Sequence, residues 1–174
     1  GDSMKGSYLG PQFTDMDITR LGHKYQAVNT HYSNFDSLVN EVADRLAKGQ
    51  IVGWFQGRME YGPRALGNRS ILGDPRDPEM QKKLNLRIKY REGFRPFAPA
   101  VLLEDSEHYF DLHEPSPYML LVASVQQARC NPPSAAAEKK TDNGDIFKRL
   151  YHLRSDIPAV THIDYSARIQ TVDR

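Results

Sequence analysis

A single cysteine, Cys130, stands in the 174 residues, so no internal disulfide and no cysteine-based zinc site is possible, and the count fits a reducing compartment. Long apolar runs are missing as well. Nothing approaches the length that spans a bilayer, and the N-terminus lacks the charged-then-apolar order of a secretory leader, so a cytoplasmic protein without membrane partners is expected. Net charge is scarce: 23 Lys and Arg stand against 22 Asp and Glu. Any positive field must then be local, which weighs against nucleic acid as a partner. Six histidines occur, but none in a His-Glu-x-x-His spacing, and no metal site is assigned.

What the chain has instead is a concentration of arginine and glycine. From Phe55 to Arg76 it reads FQGRMEYGPRALGNRSILGDPR, with Arg58, Arg64, Arg69 and Arg76 spaced through Gly57, Gly62, Gly67 and Gly73. Glycine admits positive φ and close backbone approach, and guanidinium forks match phosphate and carboxylate. The stretch therefore reads as a site for an oxyanion, against the plainer reading of a loop whose arginines pair with acids.

Periodicity supplies the frame. Residues 1–32 are polar and turn-rich and read as a surface lead-in without a helix. Leu38, Val39, Val42, Ala43 and Leu46 share a helical face, with Asp36 as N-cap and Gly49 at the end. Ile51 to Phe55 reads as a buried strand and Ile71-Leu72 as a second. Asp77-Pro78-Glu79 opens a helix running to about Arg87. Strands are expected at Ala100 to Leu103, at Tyr118 to Val125, and in two pieces, Ala159 to Asp164 and Ala167 to Val172. Asp105 or Ser106 caps a short helix between them. Residues 126–145 lack period and read as a mobile excursion. Helices mixed with non-alternating strands indicate an α/β fold.

Two further basic clusters follow the first. Lys89 and Arg91 would share one face of an extended segment, and Pro96 restricts Arg95 to extended conformations. His162, Asp164 and Ser166 would alternate along a strand, which rarely builds a nucleophilic relay. His162 reads as a phosphate or ribose contact or as a structural histidine. Three converging basic clusters would suit a mononucleotide or an acyl phosphate.

The strings WFQGRMEYGPRALGNRSILGDPR, KYREGFRPFAPAVL and HIDYSARIQTV closely resemble the C-terminal domain of carbamoyltransferases of the nodulation-protein and antibiotic O-carbamoylation family, from about Tyr8 onward. That domain is similar to the YrdC fold, and Lys89 with Arg95-Pro96 resembles its Lys...Arg-Pro signature. The resemblance implies a single α/β domain with a twisted mixed open sheet and helices packed on it. Residues 1–35 would be a lead-in and 36–174 the carbamoyl-adenylate-forming domain.

It also implies carbamoyl phosphate and ATP with magnesium as ligands. Arg58, Arg64, Asn68, Arg69, Lys89, Arg91, Arg95, His162, Ser166 and Arg168 would bind them. Of these, Arg64, Lys89 and Arg95 would be catalytic, and Arg168 would also face the phosphates. The partner implied is an N-terminal, actin-like domain of the same parent chain, holding the acceptor pocket and the family's iron-type metal. The chain would be a portion of that enzyme, ending before the family's Asn-Thr-Ser-Phe-Asn segment. Tyr165 departs from the small residue common in the family's His-x-Asp motif. Two other readings stand beside this one: an RNA-binding module using Tyr61, Tyr90, Phe94 and Phe97 as stacking platforms, and a docking domain whose arginines pair with acids elsewhere.

Overall fold

Thr14 and Asn34 decide where the first two helices begin. In the computed structural model, which describes residues 3–131 and 152–173, Thr14 Oγ1 accepts from Asp17 N at 3.2 Å while Asp17 Oδ2 accepts from Thr14 N at 2.9 Å. This reciprocal cap starts helix α1, Asp15–Lys24, inside the stretch expected to lack a helix. The helix buries none of its residues, so its cap and end charges, acids first and His23 and Lys24 last, favour it locally. Ile18 and Leu21 share one face of it, but both are more than half exposed, so the stripe makes no core contact. Helix α2, Phe35–Ala47, is capped by Asn34, whose side chain accepts from Asp36 N at 2.7 Å. Asp36 is thus a first-turn acid rather than the expected cap. Gly49 leaves the helix at φ 75°.

The chain divides into two compact units, Gly1–Leu72 and Gly73–Arg174. In the first, β1 (Val52–Phe55) pairs antiparallel with β2 (Arg69–Leu72), with Trp54 opposite Ser70. Phe35 of α2 meets Trp54 edge-on at 6.3 Å. The lead-in is not loose: Gln12 bridges Arg58, and Tyr61 N donates to Ser7 O at 2.7 Å.

Between β1 and β2 the loop closes around a buried acid, Glu60. Its Oε1 accepts from Leu66 N at 2.6 Å and Asn68 N at 2.8 Å, and its Oε2 from Arg69 Nε at 3.3 Å. Arg69 Nη2 also donates to Gly62 O at 2.6 Å. Gly62 and Gly67, at φ 133° and 125°, supply the backbone that only glycine adopts freely.

In the second unit, α3 (Met80–Lys83) widens into a π-helical turn, Leu84–Lys89, that stops at Tyr90 with φ 49°. Lys89 and Arg91 therefore do not share the face of an extended segment, as the alternation had suggested. Asn85, fully buried, causes the change: its Nδ2 donates to Gly93 O and Arg95 O at 3.2 and 2.8 Å, and its Oδ1 accepts from Arg91 Nε at 2.6 Å. A buried carboxamide is satisfied only if the chain curls back over it.

Next come β3 (Ala100–Leu102), helix α4 (Ser106–Tyr109) and β4 (Val122–Ser124), and the chain closes with β5 (Ser166–Arg168) and β6 (Gln170–Val172). β5 runs antiparallel to β4 and β6 parallel to β3, and Ile169 joins them. Ile169 is wholly buried, packed with Phe110, Val125, Ile157, Val160 and Ala167. Helices with parallel and antiparallel ladders make this a mixed α/β fold, as expected; among the described residues the ladders are two-stranded.

Three expected elements differ. Of Tyr118 to Val125 only Val122–Ser124 is strand, because Met119 takes φ 54° in a turn closed on Ser116 O. Ala159 to Asp164 forms turns rather than a strand: Tyr165 N bonds His162 O, Ser166 N bonds Asp164 Oδ1, and Tyr165 sits at φ 65°. At the start of the expected excursion, residues 126–131 are docked. Gln126 Nε2 donates to Glu107 O and Phe110 O, and the Arg129 guanidinium lies 3.8 Å from the Tyr109 ring centre. Residues 132–145 lie outside the described residues.

Two outcomes follow. Ile169→Ala should lower stability by about 2–5 kcal/mol and Ile169→Val by about 0.5–1.5 kcal/mol, read by urea melting. For Glu60, burial pushes the carboxyl up, but the N–H groups of Asn68 and Leu66 and the Arg69 guanidinium outweigh it and hold the group below its ordinary value of 4.5. Its stabilising contribution is then fully present above pH 4.5 and lost as pH falls through the lower folded value. Glu60→Gln should cost about 1–3 kcal/mol at pH 7, and the gap to the parent should narrow in melts taken at progressively lower pH.

Candidate functional site

The curl over Asn85 and the end of the chain build a cleft wholly within the second unit. It measures about 390 Å³ and is lined by Arg91, Arg95, Pro96, Phe97, Ala98, Val122, Val160, His162, Asp164, Ser166, Ala167 and Arg168. That volume lies within the usual range of small-molecule pockets, roughly 300–1,000 Å³. Each charged side chain has a traceable origin. Arg91 is fixed by Asn85 and lies 4.9 Å from the Phe97 ring centre, a cation–π distance. Arg95 Nε pairs with Glu92 at 2.8 Å, both side chains exposed. Strand alternation on β5 sends Ala167 into the core and leaves Ser166 and Arg168 on the other face.

Asp164 is the carboxylate of the lining. Its Oδ1 accepts from Ser166 Oγ at 2.6 Å and Ser166 N at 3.0 Å and lies 3.2 Å from His162 Nδ1. The Ser166 hydroxyl, then its N–H, hold Asp164 below the ordinary carboxylate value against a smaller upward push from burial. The order of contacts is instructive. Ser166 donates to Asp164, not to His162, so the three do not form the serine–histidine–aspartate relay of a hydrolase.

Five of the residues expected from sequence therefore meet in one cleft: Arg91, Arg95, His162, Ser166 and Arg168. Lys89 ends the π-helical turn, exposed, and is not among the lining residues. Arg58, Arg64, Asn68 and Arg69 belong to the first unit. There Arg58 Nη1 donates to Gly10 O at 3.1 Å, Asn68 Nδ2 donates to Arg58 O at 2.7 Å, and Arg69 is held by Glu60. Arg64 is half-buried and its guanidinium makes no hydrogen bond or ion pair with the described residues. Arg76 chelates Asp74 through Nε and Nη2, which holds that carboxyl below its ordinary value.

Sequence reasoning left out Asn85 and Glu60; Phe97 entered it only as a stacking platform for RNA and Asp164 only beside His162 and Ser166 in a relay judged rare. Asp164 had a signal in the Asp-x-Ser spacing that makes an Asx turn. Asn85 had none, since its role exists only once the helix widens. Among the described residues no group of three or more His, Cys, Asp or Glu is arranged to hold a metal ion. Chemically, the cleft offers three guanidinium groups and a histidine beside one carboxylate, an arrangement for a small anion that also carries hydrogen-bond donors.

Residues 43–174 match the family model described as Carbamoyltransferase C-terminus. An uncharacterised Synechocystis protein is 54% identical over 98% of this chain and 27% of its own length. Nodulation protein NolO of Bradyrhizobium diazoefficiens is 36% identical over 96% of the chain and 27% of its own length. The 3'-hydroxymethylcephem-O-carbamoyltransferase of Amycolatopsis lactamdurans is 38% identical over 76% and 20%. The chain thus spans about a quarter of the length of the curated relatives it matches. By the extent of the family match and by these identities, the chain belongs to the carbamoyltransferase C-terminus family.

Proposed function

We propose that this region binds carbamoyl phosphate and ATP and forms carbamoyl-adenylate, which another part of the same polypeptide transfers to an acceptor hydroxyl. The observation that carries the reading is the convergence of Arg91, Arg95, Arg168 and His162 on one cleft in a chain of this family. The relative named for O-carbamoyl transfer supports the carbamoyl group as what is transferred.

The reaction balances as carbamoyl phosphate, ATP and water giving carbamoyl-adenylate, pyrophosphate and orthophosphate. Hydrolysis of the acyl phosphate leaves carbamate. A carbamate oxygen then attacks the α-phosphorus, one O–P bond forming as the bond to the pyrophosphate leaving group breaks. Negative charge grows on the phosphoryl oxygens in both steps. Fixed guanidinium groups stabilise such charge without reorganising, and removing one donor of this kind costs about a hundredfold or more in rate. Arg91, held by Asn85 and Phe97, is the most firmly preset of the three. Arg95 serves as a fork to phosphate through its two terminal nitrogens, its Nε being paired with Glu92.

Magnesium would arrive with the nucleotide, held mostly by phosphate oxygens and water, for which few protein ligands are needed. Lys89, assigned a catalytic role from sequence, remains a candidate for the triphosphate.

The test is ATP–pyrophosphate exchange that depends on carbamoyl phosphate, measured with the intact polypeptide and with the 174-residue chain. Arg95→Ala should lower exchange by about a hundredfold or more and leave the melting temperature nearly unchanged, since exposed ion pairs contribute little. Arg95→Lys should restore only part of the rate, because it keeps charge but loses the fork. Exchange by Arg95→Ala at the parent's rate would remove Arg95 from the machinery, and exchange by the parent without carbamoyl phosphate would overturn the reading.

A further inference from the structure

The cleft has a hydrogen-bonding sense that an anion alone does not use. A serine hydroxyl carries one proton. That of Ser166 is directed to Asp164 Oδ1 at 2.6 Å, so toward a ligand Ser166 Oγ presents lone pairs only. Three contacts crowd onto Oδ1, from Ser166 Oγ, Ser166 N and His162 Nδ1, while Oδ2 accepts no hydrogen bond from the described residues. An ionised carboxylate is acceptor-only. Both side chains line the cleft, and the arginines that line it with them are donors throughout. A ligand that satisfies every group therefore needs an anionic end for the guanidinium groups and an N–H end for Asp164 and Ser166.

We infer that Asp164 and Ser166 form an acceptor pair that reads the NH2 of a carbamoyl group and selects carbamoyl phosphate against other acyl phosphates. The inference rests on the carbamoyl-adenylate reading above and assigns its substrate selectivity to two side chains. Acetyl phosphate is the informative competitor: it has nearly the same shape and charge, with a methyl group where carbamoyl phosphate has NH2. Bound in the same place it would desolvate Asp164 Oδ2 and Ser166 Oγ and return no hydrogen bond. Selection by unpaired polar groups is the stronger kind of discrimination, because the wrong ligand is penalised rather than merely less favoured. The amino group of adenine has the same N–H chemistry, so a nucleotide pair belongs in the test.

Asp164→Asn is the cleanest variant. Its amide oxygen can still accept from Ser166 N and Oγ and hold the turn, while Oδ2 becomes an N–H donor that faces the carbamoyl NH2 with the wrong sense. Ser166→Ala deletes the second acceptor, and Ser166→Thr restores it at a strand position that suits a β-branched residue. Calorimetric titration of the 174-residue chain with carbamoyl phosphate, acetyl phosphate, inorganic phosphate, ATP and inosine triphosphate reads each preference separately.

The parent should bind carbamoyl phosphate about tenfold or more tightly than acetyl phosphate. Asp164→Asn and Ser166→Ala should bring that ratio near one, with inorganic phosphate binding kept or strengthened, and Ser166→Thr should keep the parent's ratio. A parent that binds both acyl phosphates equally, or variants that keep the parent's preference, would overturn the selectivity and leave the carbamoyl-adenylate reading standing. Variants that lose the preference for ATP over inosine triphosphate while keeping that for carbamoyl phosphate would overturn it too, by assigning the pair to adenine. A parent that binds none of the phosphate compounds would bring down both readings together.

Discussion

The last seven described positions of the β framework, Ser166 to Val172, must pair with two different strands. Antiparallel bonds to β4 hold the first half and parallel bonds to β3 hold the second. Ile169 sits at the change of partner, where its N–H reaches Leu121 O at 3.0 Å, and the N–H of Gln170 reaches Pro99 O at 3.0 Å. Burying Ile169 completely fixes the register, because a slip of one residue would exchange it with a polar neighbour and turn Ser166 and Arg168 away from the cleft. The functional face and the hydrophobic core are thus two faces of one short segment.

A second constraint concerns where arginines spend their charge. The glycine-rich loop between β1 and β2 carries the signature of an anion site, and its N–H groups do surround an anion, the carboxylate of Glu60. Arg69 joins the same carboxylate, Arg76 binds Asp74, and Arg58 caps a carbonyl of the lead-in. The reading of that loop as cationic and oxyanion-binding was chemically sound. The physical point it could not reach is that a chain may supply its own oxyanion, and Glu60 sits two residues after Arg58, indistinguishable in sequence from a solvated acid.

The elements that were legible were those with local causes. Apolar periodicity placed α2, the short apolar run Ile51 to Phe55 placed β1, and Asp77-Pro78-Glu79 announced α3, although that helix begins only at Met80, after Glu79. α1 was missed although Thr14 and Asp17 spell a capping box ahead of it and Ile18 and Leu21 share a face; that face is exposed. Tyr118 to Leu121 is apolar yet turns, because Ser116 ties down the chain: its hydroxyl donates to Ile169 O and its N–H to Thr171 Oγ1, both more than fifty positions away. Arg91, Arg95, His162, Ser166 and Arg168, which line the cleft, had been named in sequence from the basic clusters and from the family resemblance. Their supports, Asn85 and Phe97, act through tertiary contacts that no local pattern encodes.

Asn85 is neutral, and that has an electrostatic consequence. Arg69, Arg76 and Arg95 each face a carboxylate that cancels most of their field. Arg91 is oriented instead by a carboxamide oxygen and an aromatic face, neither of which carries net charge. Its position is fixed without a direct ion pair, since Glu92 feels its charge only through space while bonding Arg95, and its potential is attenuated by mobile ions over about 10 Å at 0.1 M ionic strength. A protein of nearly zero net charge can in this way orient a cation by neutral groups and leave both ends of its guanidinium fork less committed than in a chelated pair.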